Sequence, residues 1–397
     1  MVLCKRIFQK QTDFWCVKAT VLVFCLFGLG CSDSQKINTI VEDDNELTKR
    51  LSGRWLFEQD GTIMADPQTS GLIAVDGKLV SISDGSALPH QRRRLHFVDP
   101  SSGVVVEKTQ PMGMSGRVRR SCFAQYLSDE PDFEALVIDP SDPTVFITVT
   151  EDATRSGALS PKCQKRYTHT GSTAYPTLLV RTVLDQGRLT ITHVRPLQYP
   201  QSLAVGDFPN DGIEGMAFDQ RGNLYLGLEK DAKGQARIFS VAIDVDFWQR
   251  SGFVQVEDPQ LLLPSFTHGN HPINGMDFLN VNPQHPGILI AVARNDDQLW
   301  LIDLAKQQPA QIINLSFEAP TLSESTTNED CKAYERMNNT SLEGVAVDKE
   351  TIWLINDPWR KNYMKNIQCE NNQQRYSAMA PLIFSMPIEP EWLSVYQ

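Results

Sequence analysis

Apolar residues along this chain gather into short runs, and the runs come in pairs that recur every 60 to 80 residues. Four pairs open on an apolar residue, then Glu or Asn, then a small residue. They are Phe133-Glu134-Ala135, Ile213-Glu214-Gly215, Ile273-Asn274-Gly275 and Leu342-Glu343-Gly344. A fifth, weaker copy starts at Ser70-Gly71-Leu72. Each first run is too short for a helix and is followed by a turn and a second apolar run. The second runs end in an acid or amide, at Asp84, Glu151, Glu229, Asn295 and Asn356-Asp357. Such self-similarity marks a repeat architecture built from one supersecondary unit.

Two more strand-like stretches follow each pair, at 94–107, 177–194, 236–262 and 298–315. Asp-Gly, Asp-Pro and Gly-Asn punctuate the turns, and no long window has helical periodicity. Each repeat therefore reads as a four-stranded antiparallel meander, one blade of an all-β propeller. Five blades are favoured, with six if 113–126 hides strands. The last repeat has a third strand at 381–386 but too little chain for a fourth. The segment 54–59 near the start supplies it and closes the ring, removing exposed edges. One propeller domain over 51–397 is expected.

Antiparallel neighbours put the starts of the inner strands, the ends of the second strands and the longest loops on one face. Glu134, Glu214, Asn274 and Glu343 begin the inner strands, so they converge on the axis. Carboxylates crowded there repel one another unless a cation sits among them. Hard oxygen ligands without Cys suit calcium. A glutamate at a strand start also serves simply as a backbone cap. The second-strand ends Asp84, Glu151, Glu229, Asn295 and Asp357 form a second tier, or act as turn-forming acids.

Basic residues on the same face are Arg92, Arg93 and Arg94, then Arg117, Arg119 and Arg120, then Lys162, Lys165 and Arg166. The six arginines of the first two groups are candidates for holding an anion bidentately, against the alternative of solvated surface charges. His90, His169, His268 and His271 map there too, and His268 or His271 is the candidate general base. No GxSxG, HExxH, P-loop or Rossmann motif occurs, so a serine hydrolase has no support.

The first thirty residues are a targeting segment. Lys5, Arg6, Lys10 and Lys18 precede an apolar run from Ala19 to Gly30, shorter than the ~20 residues a bilayer needs. The run ends at Leu26-Phe27-Gly28-Leu29-Gly30-Cys31, which resembles a bacterial lipoprotein signal with Cys31 as the lipidation site. Ser32 favours sorting to the outer membrane by the same resemblance, and an ordinary cleaved signal is the alternative. Residues 31–50 are a polar tether. Without residues 1–30, which hold four basic residues and one acid, 33 Lys+Arg face 47 Asp+Glu, a net charge of −14. So acidic a surface argues against a nucleic-acid partner. Cys122, Cys163, Cys331 and Cys369 remain, an even number as expected for two disulfides in an exported protein. Three connectivities are open, and pairing within a blade (122 with 163, 331 with 369) is the natural choice.

The stretch Ile213-Glu214-Gly215-Met216-Ala217-Phe218-Asp219 through Leu226-Gly227-Leu228-Glu229-Lys230-Asp231, and then 342–357, resembles the phytase-like propeller family described as having esterase-like activity. The resemblance spans roughly 65–390, and its motif is shared with lactonase and paraoxonase-like propellers. It implies calcium at the axis on Glu, Asn and Asp, ester or lactone hydrolysis, and ligand positions at Glu134, Glu214, Asn274 and Glu343. Ser70 in the first blade and Asn274 in the fourth depart from that pattern. The expectation is an exported, lipid-anchored, calcium-dependent hydrolase of a small ester or phosphoester. The alternative is a non-catalytic envelope lipoprotein that binds a protein, glycan or peptide through the same face.

Overall fold

The computed structural model describes residues 48–129, 131–151, 160–167, 177–203, 205, 212–321 and 331–396. The targeting segment, Cys31, His169 and all but the end of the tether lie outside the described residues.

Five sheets form among the described residues, one per repeat, and their inner strands are Thr69–Val75, Phe133–Asp139, Ile213–Phe218, Gly275–Leu279 and Leu342–Asp348. These inner strands meet one another in turn, the fifth returning to the first, so the ring is closed. Most sheets run antiparallel outward from the axis. The fold is a five-bladed β-propeller.

Why the runs are apolar on both strand faces follows from this layout. Each blade is covered on both sides by its neighbours. Leu72 packs toward blade 5 with Ala346 and Ile355, while adjacent Ile73 packs toward blade 2 with Leu136 and Phe146. Ala135 joins Met216 and Leu224 of blade 3. Ile238 of blade 3 joins Met276 and Leu289 of blade 4, and Ile290 joins Val345 and Leu354 of blade 5. The core is five apolar layers between blades.

Closure uses the N-terminal segment. Arg54–Trp55 pairs antiparallel with the blade 5 strand Leu382–Pro387, aligning Arg54 with Ile383 and Trp55 with Leu382. The Trp55 indole N–H donates to the Pro320 carbonyl at 3.0 Å. An extra strand, Thr48–Ser52, starts inside the stretch read as tether and lies parallel to the outer strand of blade 4, Gln311–Pro320.

Two details differ from the sequence expectation. The segment 110–128 adds no sixth blade. Its strand Gln110–Met114 lies parallel to the outer strand of blade 2, Arg188–Gln198, and two short helices follow. Blade 3 lacks a full fourth strand. Val254–Gln255 is drawn to blade 2, and only the bridge between Glu257 and Ser240 returns to blade 3. Pro259 then removes the next backbone donor but one.

The floor of the ring is sealed by the small residue of the motif. A methyl added at Gly275 would stand 3.0 Å from the Gly344 Cα, and one at Gly344 would stand 2.9 Å from the Gly71 carbonyl carbon. At this level, at Gly275 and Gly344, the strands approach too closely for a side chain. Above it the mouth opens toward the long loops.

Candidate functional site

A repeated backbone irregularity aims the motif residues. The pairing of inner and second strands slips between Phe133 and Leu136, Ile213 and Gly215, and Leu342 and Gly344. A bulge therefore sits at each motif glutamate, and bulges re-aim side chains. Glu134, Glu214 and Glu343 are 8%, 7% and 6% exposed, and Asn274 is fully buried. The second-tier acids are set by another repeated contact. The backbone N–H groups of Glu151, Glu229 and Asp357 donate to Asp132, Gly212 and Ser341 at 2.8–3.0 Å.

The structure brings Glu134 and Glu214 together, but with Glu151. One carboxylate oxygen from each lies within 4.8 Å of the other two, and all three residues are buried. Glu134 also belongs to a second group of the same tightness with Asp84 and Asp132. No Lys, Arg or His among the described residues forms an ion pair with Glu134, Glu151 or Glu214. Burial, followed by the repulsion of neighbouring carboxylates, pushes Glu134 and Glu151 well above the usual carboxyl range. The same causes push Glu214 up to about 8, against the opposing pull of Arg294 and the Asn274 amide. Asp84 rises to about 7 through burial and the charge of Asp132.

Glu343 stands elsewhere. It accepts from the Arg294 guanidinium, whose other nitrogen lies 3.4 Å from Glu229. Arg294 was not among the expected site residues. Gly275 faces Val292 as Gly215 faces Gly227 and Gly344 faces Ile355. Two residues further along come Arg294, Glu229 and Asp357. Arg294, not Asn295, is thus the blade 4 member of the second tier. The Asn295 amide instead donates to the Asn270 carbonyl at 3.0 Å.

A cavity of about 630 Å³ opens beside this half of the mouth. Glu229, Arg294, Asp357 and Asp297 line it, with Asn270, Asn295, Asn338, Asn339, Asn362, Thr340, Ser341 and Trp359. Burial pushes Asp357 well above the carboxyl range, and the neighbouring Asp84 charge adds to it.

His271 and the six arginines make other contacts here. His268 is exposed. One ring nitrogen of His271 lies 2.8 Å from Asp296, the other 2.7 Å from the His268 carbonyl, and the ring stacks on Phe266. Both nitrogens are engaged within their own loop region. Arg92 and Arg94 donate to the carbonyls of Ala87 and Thr109, and Arg93 to that of Ser128. Arg117 reaches the Gln249 carbonyl at 3.3 Å, Arg119 bonds that of Met114, and Arg120 caps a short helix. None of the six lines the cavity.

The cysteines pair within blades, Cys122 with Cys163 and Cys331 with Cys369, at Cα separations of 5.7 and 5.4 Å. Each bond ties two loops of the elaborated face. Among the described residues no helix is long and apolar enough to cross a membrane.

No family model matches this chain, and no curated protein matches it. Solved structures do match. An exo-beta-1,3-galactanase from Clostridium thermocellum aligns at 11% identity with a TM-score of 0.44, over 85% of this chain and 62% of that one. An alpha-L-arabinanase from Penicillium chrysogenum aligns at 9% identity and 0.36, over 87% and 78%. An auxiliary nutrient binding protein from Bacteroides thetaiotaomicron aligns at 10% and 0.35, over 81% and 70%. The chain spans less than two thirds of the galactanase's length. At such scores the likeness carries no argument about function, and the propeller stands on its own sheets.

Proposed function

We propose that this protein is an exported, lipid-anchored hydrolase of small esters or phosphoesters that uses a divalent cation, calcium, at the acidic side of its axial mouth. One observation carries the reading. Three buried carboxylates, Glu134, Glu151 and Glu214, converge within 4.8 Å without an ion-pair partner among the described residues. Buried charges are costly unless paired or coordinating a metal. An all-oxygen donor set extended by Asp84 and Asp132 fits calcium and offers nothing to a thiophilic ion. The phytase-like and lactonase-like motif supports the same assignment. Glu134, Glu151 and Glu214 would hold the ion, with Asp84 and Asp132 beside them.

A bound divalent cation supplies polarisation of an ester oxygen and stabilisation of developing negative charge. The chain's own residues do the rest. Arg294 fixes Glu229 and Glu343 at the border between mouth and cavity, and the cavity holds the body of the substrate. Export is supported by the two disulfides, which persist in oxidising compartments, and by the lipoprotein-like sequence ending at Cys31.

A second reading, binding without turnover, is favoured by His271, whose two ring nitrogens are both engaged. Elemental analysis of the purified protein and an ester and phosphoester panel, each with and without chelator, separate the two. Calcium with chelator-sensitive turnover that Glu214→Gln abolishes upholds the hydrolase. Bound calcium without turnover leaves the binding protein, and the absence of any bound metal sinks the proposal.

A further inference from the structure

The cavity beside the acidic cluster has a composition of its own. Five amides line it (Asn270, Asn295, Asn338, Asn339 and Asn362), and so does Trp359, which is 54% exposed. An amide presents two donors and two acceptor lone pairs, so it pairs with groups that both give and take hydrogen bonds. Hydroxyls do that, whereas a carboxylate only accepts and a phosphate is mostly acceptor and carries negative charge. Charge points the same way. Besides Asp357, whose carboxyl is pushed up by burial, two acids line the cavity, Glu229 and Asp297, against one cation, and that cation, Arg294, is already held by Glu229 and Glu343. An anion entering here meets excess negative charge and no uncommitted guanidinium among the described lining residues. A large aromatic surface left half exposed at the rim has no packing reason to be there. The Lys361 ammonium lies 5.3 Å from its ring centroid, and Lys361 does not line the cavity. A flat ring fits the apolar C–H face of a pyranose or furanose while the amides meet its hydroxyls.

We propose that this cavity binds an uncharged, hydroxyl-rich ligand, a neutral sugar unit of an oligosaccharide or of its ester, with Trp359 as the stacking platform. The inference rests on the hydrolase reading for its place in the mouth and narrows the substrate from ester or phosphoester to a sugar-bearing neutral one. About 630 Å³ accommodates a small oligosaccharide end.

The test is binding, read apart from turnover. The purified chain is screened on an array of neutral and uronic-acid oligosaccharides, and hits are titrated calorimetrically beside inorganic phosphate, with and without chelator. The expected result is retention of neutral sugars, little or no binding of phosphate, and at least a tenfold weakening in Trp359→Ala. Trp359 is exposed enough that its loss should leave the melting temperature unchanged, and Asn338→Ala provides a second variant with the same expected direction. Sugar binding that survives chelation upholds the inference even where no ester is hydrolysed. Ester hydrolysis with no neutral sugar retained leaves the hydrolase standing and overturns the inference. So does phosphate or a uronate binding as tightly as any neutral sugar, or an unchanged affinity in both variants.

Discussion

The axial mouth has two halves built from one motif, and they handle charge in opposite ways. On blades 1 to 3, Asp84, Asp132, Glu134, Glu151 and Glu214 crowd together without an ion-pair partner for the buried three. On blades 3 to 5, Arg294 takes Glu229 and Glu343, and Asn274 carries no charge. The backbone is the same in both, with a bulge at each motif glutamate and a second-strand end beside it. One second-tier residue makes the difference. Glu134 and Glu214 have acids, Glu151 and Glu229, at the second-strand ends of their own blades, whereas Glu343 meets Arg294 from blade 4, so there the protein supplies its own cation. The motif fixes where a side chain points, and its neighbour fixes what it is for.

The comparison breaks most directly at Arg294. Arg294→Met leaves buried Glu343 without its cation and takes one of two from Glu229, which keeps Lys230 at 3.8 Å; losing a buried pair costs about 3–5 kcal/mol. Urea denaturation should show that loss, with Arg294→Met/Glu343→Gln recovering part of it and added calcium shrinking it. A loss below about 1 kcal/mol would mean the two halves differ less than their contacts imply.

The disulfides come next, one in each half. Their sequence separations of 41 and 38 residues are nearly equal, so Cys122→Ser and Cys331→Ser should each lose about 2–4 kcal/mol and by similar amounts. Melting curves that single out one bond would show that one half leans on its cross-link more.

If the proposed calcium sits among Glu134, Glu151 and Glu214, removing it acts on the first half alone. Calcium at a hundred times its dissociation constant adds about 2.7 kcal/mol, so chelator should lower the melting temperature of the wild type and of Glu343→Gln, but not of Glu214→Gln. Equal sensitivity in the two glutamine variants would erase the distinction.

The smallest effect is a slope with pH in chelator. Glu214 at about 8 and Asp84 at about 7 lie above their ordinary values of 4.5 and 3.8. The folded protein then keeps protons that the unfolded chain has lost, so this contribution is whole below about pH 4 and disappears as pH rises through 7 to 8. Melting temperature in chelator should fall between pH 5 and pH 8, and calcium should flatten the curve. A rise over that range would contradict the crowding of carboxylates.

Much of this was legible in the chain. The repeat spacing carried the five blades, because each unit buries both faces only against its neighbours. Strand counting assigns the closing of the ring to the segment 54–59, and its first two residues do so; pairing within a blade, the natural choice among three connectivities, is the pairing found. The charge division was not legible. In the sequence the blade 4 run reads to Asn295, one residue past Arg294, and the true level emerges only from the pairing of Gly275 with Val292. Asp132 carries no repeat signal, because it precedes its motif glutamate by two residues, where blade 3 has Gly212. Trp359 lies in a long loop with no repeat counterpart, and periodicity says nothing about such a residue.

The clasp that closes the ring also governs how the propeller would respond to force. Ahead of Arg54–Trp55, the strand Thr48–Ser52 runs parallel to the blade 4 edge through five residue pairs, from Thr48 with Asn314 to Ser52 with Glu318. Lys49 adds an ion pair to Glu389 at 2.7 Å. Tension applied ahead of residue 48 therefore loads those five pairs together, in shear, instead of peeling them one by one. The clasp itself carries load only after that strand has slid free. Pulled from its N-terminal side, a propeller of this build gives up that strand before its mouth is unfastened.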